Sequence, residues 1–146
     1  MTMATDAEMD EVMDLGSEVM KDNGYGEMIV DYAMLNVVYE MMAKDSSGNS
    51  VLVNVEKMTL SSMTEKDYVS IVTTQLSGTG YTFNDPYEVS LWGKDFLAVD
   101  GTVTMNNVTM TQSYLLLKIQ DRMCCVIFTD VTGDSLESFL SCFSEY

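Results

Sequence analysis

The sequence predicts an α/β protein of the α+β kind, an α/β/α sandwich in which helices flank a mostly antiparallel sheet. Apolar residues recur at helical spacing in three segments, and elsewhere they alternate with a period of two. Two late runs, Tyr114–Leu117 and Met123–Phe128, are apolar on both strand faces, which predicts central strands covered on each side. The 146 residues, of which 47% are apolar, suit a single domain over residues 1–146.

A first helix is predicted at about residues 6–22. Thr5 is a favourable N-cap residue, and Glu8 three positions later completes the pattern of a capping box. The apolar residues that follow fall within one arc, while acidic residues occupy the opposite side, so we expect an amphipathic surface helix. The apolar arc comprises Met9, Val12, Met13, Gly16, Val19 and Met20.

A β-hairpin is predicted at about residues 36–57. Two runs rich in strand-forming residues flank the polar cluster Asp45–Asn49, which contains a glycine. The polar positions that the hairpin retains predict a place near one edge of the sheet. Strict alternation along the first run predicts one face made of Val37, Tyr39, Met41 and Ala43.

A second helix is predicted at about residues 65–77. Thr64 is its expected N-cap, and Gly78 and Gly80 are expected to end it. Acidic residues in the first turn suit the positive end of the helix dipole. The predicted apolar side comprises Tyr68, Val69, Ile71, Val72 and Leu76.

The remainder predicts an antiparallel meander at about residues 81–130 and a closing helix at about residues 135–144. Turns are expected at Gly93–Asp95, at Asn106–Asn107 and at Gln120–Asp121. For the closing helix, Asp134 is the expected cap and Glu137 completes a capping box. Its apolar side comprises Leu136, Phe139, Leu140 and Phe143.

The charge and the residue types exclude several classes of function. Seven Lys and Arg face 23 Asp and Glu, and a net charge of −16 disfavours binding to nucleic acid phosphates or anionic lipid. The sequence has no His, which excludes imidazole catalysis and imidazole metal sites. Apolar runs stay shorter than the ~18 residues that cross a membrane, so we expect no membrane insertion. Nucleotide-binding glycine motifs are absent, and we expect no cofactor and no enzymatic activity.

Acidic residues of the first helix form the candidate binding site. Glu11, Asp14 and Glu18 are spaced three and four apart, which places them on one helical face, and like charges at this spacing repel. Such a face is either simply solvated or binds a basic protein partner. The candidate residues are Asp10, Glu11, Asp14 and Glu18.

Three other features have alternative interpretations. In one interpretation the three cysteines are small buried hydrophobes, and in the other a disulfide joins Cys142 to Cys124 or Cys125 in an oxidising compartment. The 14 methionines are interpreted as core filling rather than Cu(I) ligands, because no M-x-M repeats occur. The segment Asp130–Asp134 has two acids and a glycine but lacks the alternating ligands of a calcium loop.

Three stretches carry a resemblance to a known family: Tyr87–Phe96, Gln112–Tyr114 and Leu136–Phe143. With the order hairpin, helix, four-stranded meander and terminal helix, the chain from about Val37 onward resembles the PsbP-like fold. Its letters are similar to uncharacterised lipoprotein domains of Gram-positive gut bacteria. The resemblance implies a non-catalytic extracytoplasmic accessory or binding module of a bacterial cell surface, and it implies no catalytic residues.

A second interpretation is a cytosolic acidic chaperone or inhibitor that binds a basic or unfolded protein. Type III secretion chaperones resemble this chain in small size, low pI and mixed α/β order, which implies a dimer. The first residues, Met1–Thr5, lack the basic and apolar regions of a secretory signal. We therefore expect a cell-surface location if an export segment has been removed and a cytoplasmic one otherwise.

Overall fold

A computed structural model describes residues 2–11, 14, 37–133 and 136–141 of the chain. In this part an eight-stranded sheet has the order β1-β2-β3-β8-β7-β6-β4, and β5 also pairs with β6. Every pairing is antiparallel. The strands are β1 (Thr2–Met3), β2 (Val37–Lys44), β3 (Ser50–Lys57), β4 (Thr82–Phe83), β5 (Tyr87–Leu91), β6 (Lys94–Met105), β7 (Val108–Ile119) and β8 (Arg122–Asp130).

Helices contact both faces of the sheet. Helix α1 (Glu65–Ser77) packs its Val69 side chain into the core on one face. Helix α2 (Leu136–Leu140) packs Phe139 into the core on the other. Residues 6–11 and 14 are also helical. The mostly antiparallel sheet with its small helices confirms the α+β class.

The three-helix sandwich is a finer description than the described residues support. Of the predicted first helix, only residues 6–11 and 14 are described and helical. The closing helix is described over Leu136–Leu140, within the predicted range 135–144, and its predicted cap Asp134 lies outside the described residues, as does Phe143.

The centre of the sheet is the pair β7–β8. Leu115 lies opposite Val126, and Leu116 lies opposite Cys125. All four side chains are at most 3% exposed. Since neighbouring residues of a strand point to opposite faces, this pair is buried on both sides, as the sequence predicts.

The β2–β3 hairpin has the predicted boundaries but not the predicted faces. Tyr39 pairs with Asn54 and Met41 pairs with Val53, so Glu40 is an extra residue that forms a β-bulge. Beyond the bulge, Met41 points to the face opposite that of Tyr39. The prediction that Val37 and Tyr39 share a face with Met41 and Ala43 is therefore wrong, because a bulge shifts the alternation of side chains by one residue.

Two-residue turns join the long strands. Asn106 and Asn107 both have positive φ, at 51° and 64°, which is the conformation of a tight hairpin turn. Trp92 and Gly93 form the preceding turn, with φ of 53° and 66°. This turn lies one residue earlier than predicted, because Lys94 already pairs with Leu91 as the first residue of β6.

The N-terminus of α1 has the predicted cap. The Thr64 hydroxyl accepts a hydrogen bond from the Asp67 amide at 3.2 Å, and Asp67 Oδ2 accepts one from the Thr64 amide at 2.8 Å. Hydrogen bonds from the Thr64 amide and hydroxyl lower the pKa of the Asp67 carboxyl. The predicted apolar side is correct for Val69, which is buried, but wrong for Ile71, which is 41% exposed.

The described methionines are divided between the core and the surface. Met58 and Met123 are buried, as core filling predicts, whereas Met3 and Met105 are 58% and 59% exposed.

Cys124 and Cys125 are free thiols that point to opposite faces of β8, with Cys125 buried; Cys142 lies outside the described residues. Burial raises the pKa of both thiols, and nearby Glu40 adds to the effect at Cys124. Neither environment favours a reactive thiolate.

Thiol titration tests this placement. In a Cys142→Ser background, we expect an aromatic disulfide reagent to modify Cys124 more slowly than free cysteine and to leave Cys125 unmodified. Unfolding in urea should expose the Cys125 thiol to the reagent. Cys125→Ser should abolish this second reaction. Rapid modification of both thiols in the folded protein would contradict the two-faced burial of β8.

Truncation of a central side chain tests the core. We expect Leu115→Ala to lower the free energy of unfolding by about 2–5 kcal/mol, because it leaves a cavity in a site with no exposure. Ile119→Ala is the matched control, since Ile119 lies on the same strand and face but is 55% exposed. Urea denaturation followed by circular dichroism measures both. Equal losses in the two variants would show that Leu115 is not part of the core.

Candidate binding surface

The N-terminal helical segment is held by a capping box. The Thr5 hydroxyl accepts a hydrogen bond from the Glu8 amide at 3.3 Å, and Glu8 Oε2 accepts one from the Thr5 amide at 2.8 Å. The Thr5 hydroxyl also donates to Glu8 Oε2 at 3.1 Å, and the bonds that the Thr5 amide and hydroxyl donate lower the pKa of the Glu8 carboxyl. Preceding them, β1 pairs with the end of β2, Thr2 with Lys44 and Met3 with Ala43. The pairing of β1 and the capping box together determine where the helical residues 6–11 begin relative to the sheet.

A pocket of about 280 Å³ lies between this helical segment and the start of β2. Its apolar walls come from a helical methionine and from three consecutive strand residues, and two exposed carboxylates complete the lining. This combination suits a group that has an apolar body and a cationic end. The lining residues are Asp6, Met9, Asp10, Val37, Val38 and Tyr39.

Asn54, the strand partner of the pocket residue Tyr39, has a side-chain oxygen that accepts no hydrogen bond from the described residues. Tyr39 lies directly opposite Asn54. The side-chain oxygen of Asn54 is buried, and no described residue donates a hydrogen bond to it. Burial raises the pKa of the Tyr39 hydroxyl, so this group keeps its proton at neutral pH. A buried acceptor without a donor is unfavourable, but Asn54 is not among the residues that line the pocket.

The structure locates most of the candidate acidic residues. Asp10, Glu11 and Asp14 are exposed, and Glu18 lies outside the described residues. Among the located three, Asp10 alone lines the pocket. Of the predicted acidic residues, Asp10 therefore lies in the pocket wall, whereas Glu11 and Asp14 lie on the open surface.

Sequence reasoning missed the strand side of the pocket. The sequence predicts that Val38 and Tyr39 belong to a hairpin, and nothing in their spacing indicates that a helical segment lies against them. Val38 is an apolar residue in a hairpin predicted near one edge of the sheet, and this is the signal that could have identified it. In the structure its side chain is 49% exposed.

Other polar groups in the described strands have partners within the protein. Asp100 Oδ1 accepts hydrogen bonds from the Ser113 hydroxyl at 2.6 Å and the Tyr87 hydroxyl at 3.0 Å. Gln112 Oε1 accepts from the hydroxyls of Tyr81 and Tyr114, at 2.8 and 2.7 Å. These bonds join β6 to β5 and to β7, and they join β7 to the residue that precedes β4.

The calcium alternative receives no support from the geometry. Asp130 Oδ1 accepts hydrogen bonds from the amides of Thr132 and Gly133, at 2.9 and 3.1 Å, and Asp134 lies outside the described residues. Within the described ranges, no three Cys, Asp or Glu side chains are grouped so that they could hold a metal ion. The carboxylate of Asp130 organises a turn.

None of the helices in the described part is both long and apolar enough to cross a bilayer. No family model matches the sequence, and no curated protein matches it. Among solved structures, the chain is similar to PA94 from Pseudomonas aeruginosa, a protein of unknown function considered to be a regulator. The two share 8% identity over 76% of this chain and 82% of the other, with a TM-score of 0.49.

It is also similar to LpqN from Mycobacterium tuberculosis, a protein involved in cell envelope biogenesis. Here the identity is 10% over 70% of this chain and 63% of the other, with a TM-score of 0.41. At these values, neither likeness assigns a fold family or a function to this chain.

Proposed function

We propose that the protein is a non-catalytic binding module whose N-terminal pocket takes a basic, partly apolar segment of a protein partner. The pocket carries the proposal, because carboxylates of Asp6 and Asp10 stand beside apolar walls from Met9 and Val38. An arginine or lysine side chain fits such a site, since its methylene stem packs on apolar atoms while its charge faces carboxylates.

One further observation supports a cationic occupant. Glu11 and Asp14 are exposed and close in sequence to Asp10, and they extend the negative field around the pocket. That field would attract a basic segment and speed its association.

The location and family of the module are part of the proposal. We propose a single domain with the PsbP-like sandwich, acting as an extracytoplasmic accessory of a bacterial cell surface. A cytosolic acidic chaperone or inhibitor would use the same pocket for a basic client. The two alternatives place the protein in different compartments, but both use the same pocket and a partner of the same chemistry.

Peptide binding tests the proposal. The probe is a fluorescently labelled peptide of alternating Lys and Leu, and anisotropy measures its Kd for the full chain. We expect Asp6→Asn/Asp10→Asn to weaken binding about tenfold, because both carboxylates of the pocket are lost. Added NaCl should weaken the wild-type complex.

Glu88→Gln/Asp95→Asn is the matched control, since it removes two exposed carboxylates of β5 and β6 that do not line the pocket. Its Kd should stay within about twofold of the wild-type value. Equal weakening by the two double variants would mean that net charge alone attracts the peptide, and the pocket would then not be the site.

A further inference from the structure

The pocket at β2 lies at the outer edge of that strand. Val37, Val38 and Tyr39 are consecutive, and all three line it. Since neighbouring residues of a strand point to opposite faces, Val38 lies on one face of the sheet and the other two lie on the other. A pocket that contacts both faces lies at the edge. β1 pairs with β2 only at Ala43 and Lys44, so no described strand pairs with the outer side of residues 37–39.

This edge provides a backbone acceptor beside the pocket. In an antiparallel strand, successive residues direct their N–H and C=O groups alternately to the two sides. At least one of Val37 and Val38 therefore directs its carbonyl outward, where no described strand pairs with it. Such a carbonyl needs a donor, which water or a ligand supplies.

The two carboxylates of the pocket lie one helical turn apart. Asp6 and Asp10 are four residues apart in the helical segment, which places their Cβ atoms about 5–6 Å from each other on one face. Both side chains are exposed, and within the described part of the chain neither carboxylate has a hydrogen-bond or ion-pair partner. Like charges at this spacing repel each other, so a cation that contacts both is favoured.

Tyr39 is the aromatic residue of the lining, and its side chain is half-buried. Burial raises the pKa of the Tyr39 hydroxyl, so the ring stays uncharged at neutral pH. The face of an aromatic ring attracts a cation. A guanidinium is flat and more weakly hydrated than an ammonium, and it therefore stacks on such a face more favourably.

The number and the direction of the donors also distinguish the two basic side chains. A guanidinium has five N–H donors in one plane, whereas an ammonium has three on a compact charge. An arginine can therefore donate to both carboxylates and to an edge carbonyl while its face contacts the Tyr39 ring. A lysine whose ammonium contacts both carboxylates has one donor left and no flat face to stack.

From this arrangement we propose that the pocket selects arginine over lysine, and that Tyr39 is the residue that determines the preference. The inference rests on the proposed function, because it names which basic side chain of the partner enters the pocket. The guanidinium lies on the Tyr39 ring and donates to Asp6 and Asp10, while its methylene stem packs on the apolar wall formed by Met9 and Val38.

Two labelled peptides of equal length test the proposal, one of alternating Arg and Leu and the other of alternating Lys and Leu. Fluorescence anisotropy measures the Kd of each peptide for the full chain. We expect the arginine peptide to bind about fivefold more tightly, and Tyr39→Leu to bring the two Kd values within about twofold of each other. Tyr39→Phe keeps the ring and should keep the preference. Circular dichroism checks that each variant is folded.

Trp92→Leu is the matched control, since it removes an exposed aromatic ring from the turn between β5 and β6, which does not line the pocket. This variant should keep the wild-type preference. Equal Kd values of the two peptides for the wild type would overturn the selectivity and leave the proposed binding module intact. A preference that persists in Tyr39→Leu would overturn the role of Tyr39. Binding of neither peptide would overturn the proposed function together with this inference.

Discussion

Burial of β7 and β8 on both faces is the constraint on which the other contacts of the described sheet depend. Leu115 and Val126 contribute to the core under α2, while Leu116 and Cys125 contribute to the core under α1. A strand pair of this kind must lie inside the sheet and must receive cover from both sides. The two helices and the flanking strands β3 and β6 supply that cover. The proposed binding pocket therefore lies at the periphery of the sheet.

The charge of the protein makes the proposed pocket contact sensitive to salt. The pocket at β2 has carboxylates in its lining, so its affinity for a basic segment decreases as ions screen the attraction. The pocket lies at the end of the sheet where Val37 pairs with Glu56, and Glu56 pairs in turn with Met123 near the start of β8.

Elements that depend on local chemistry could be predicted from the sequence. Thr64 with Asp67 determines where α1 begins, and the Asn106–Asn107 pair determines a turn, because a cap and a positive-φ turn need particular residues. The bulge at Glu40 could not be predicted, since the alternating pattern continues through it. The pocket depends on the contact between residues 6–11 and β2, which are distant in sequence, so Asp10 was identified as a candidate but Tyr39 was not.

Amide hydrogen exchange followed residue by residue tests the central claim most directly. If β7 and β8 form the doubly covered centre, the slowest amides should be those of residues 113–117 and 124–128, because they open only on global unfolding. The amides of β2 should exchange faster, since that strand lies nearer the edge. Exchange at residues 113–117 and 124–128 as fast as in β2 would contradict the account.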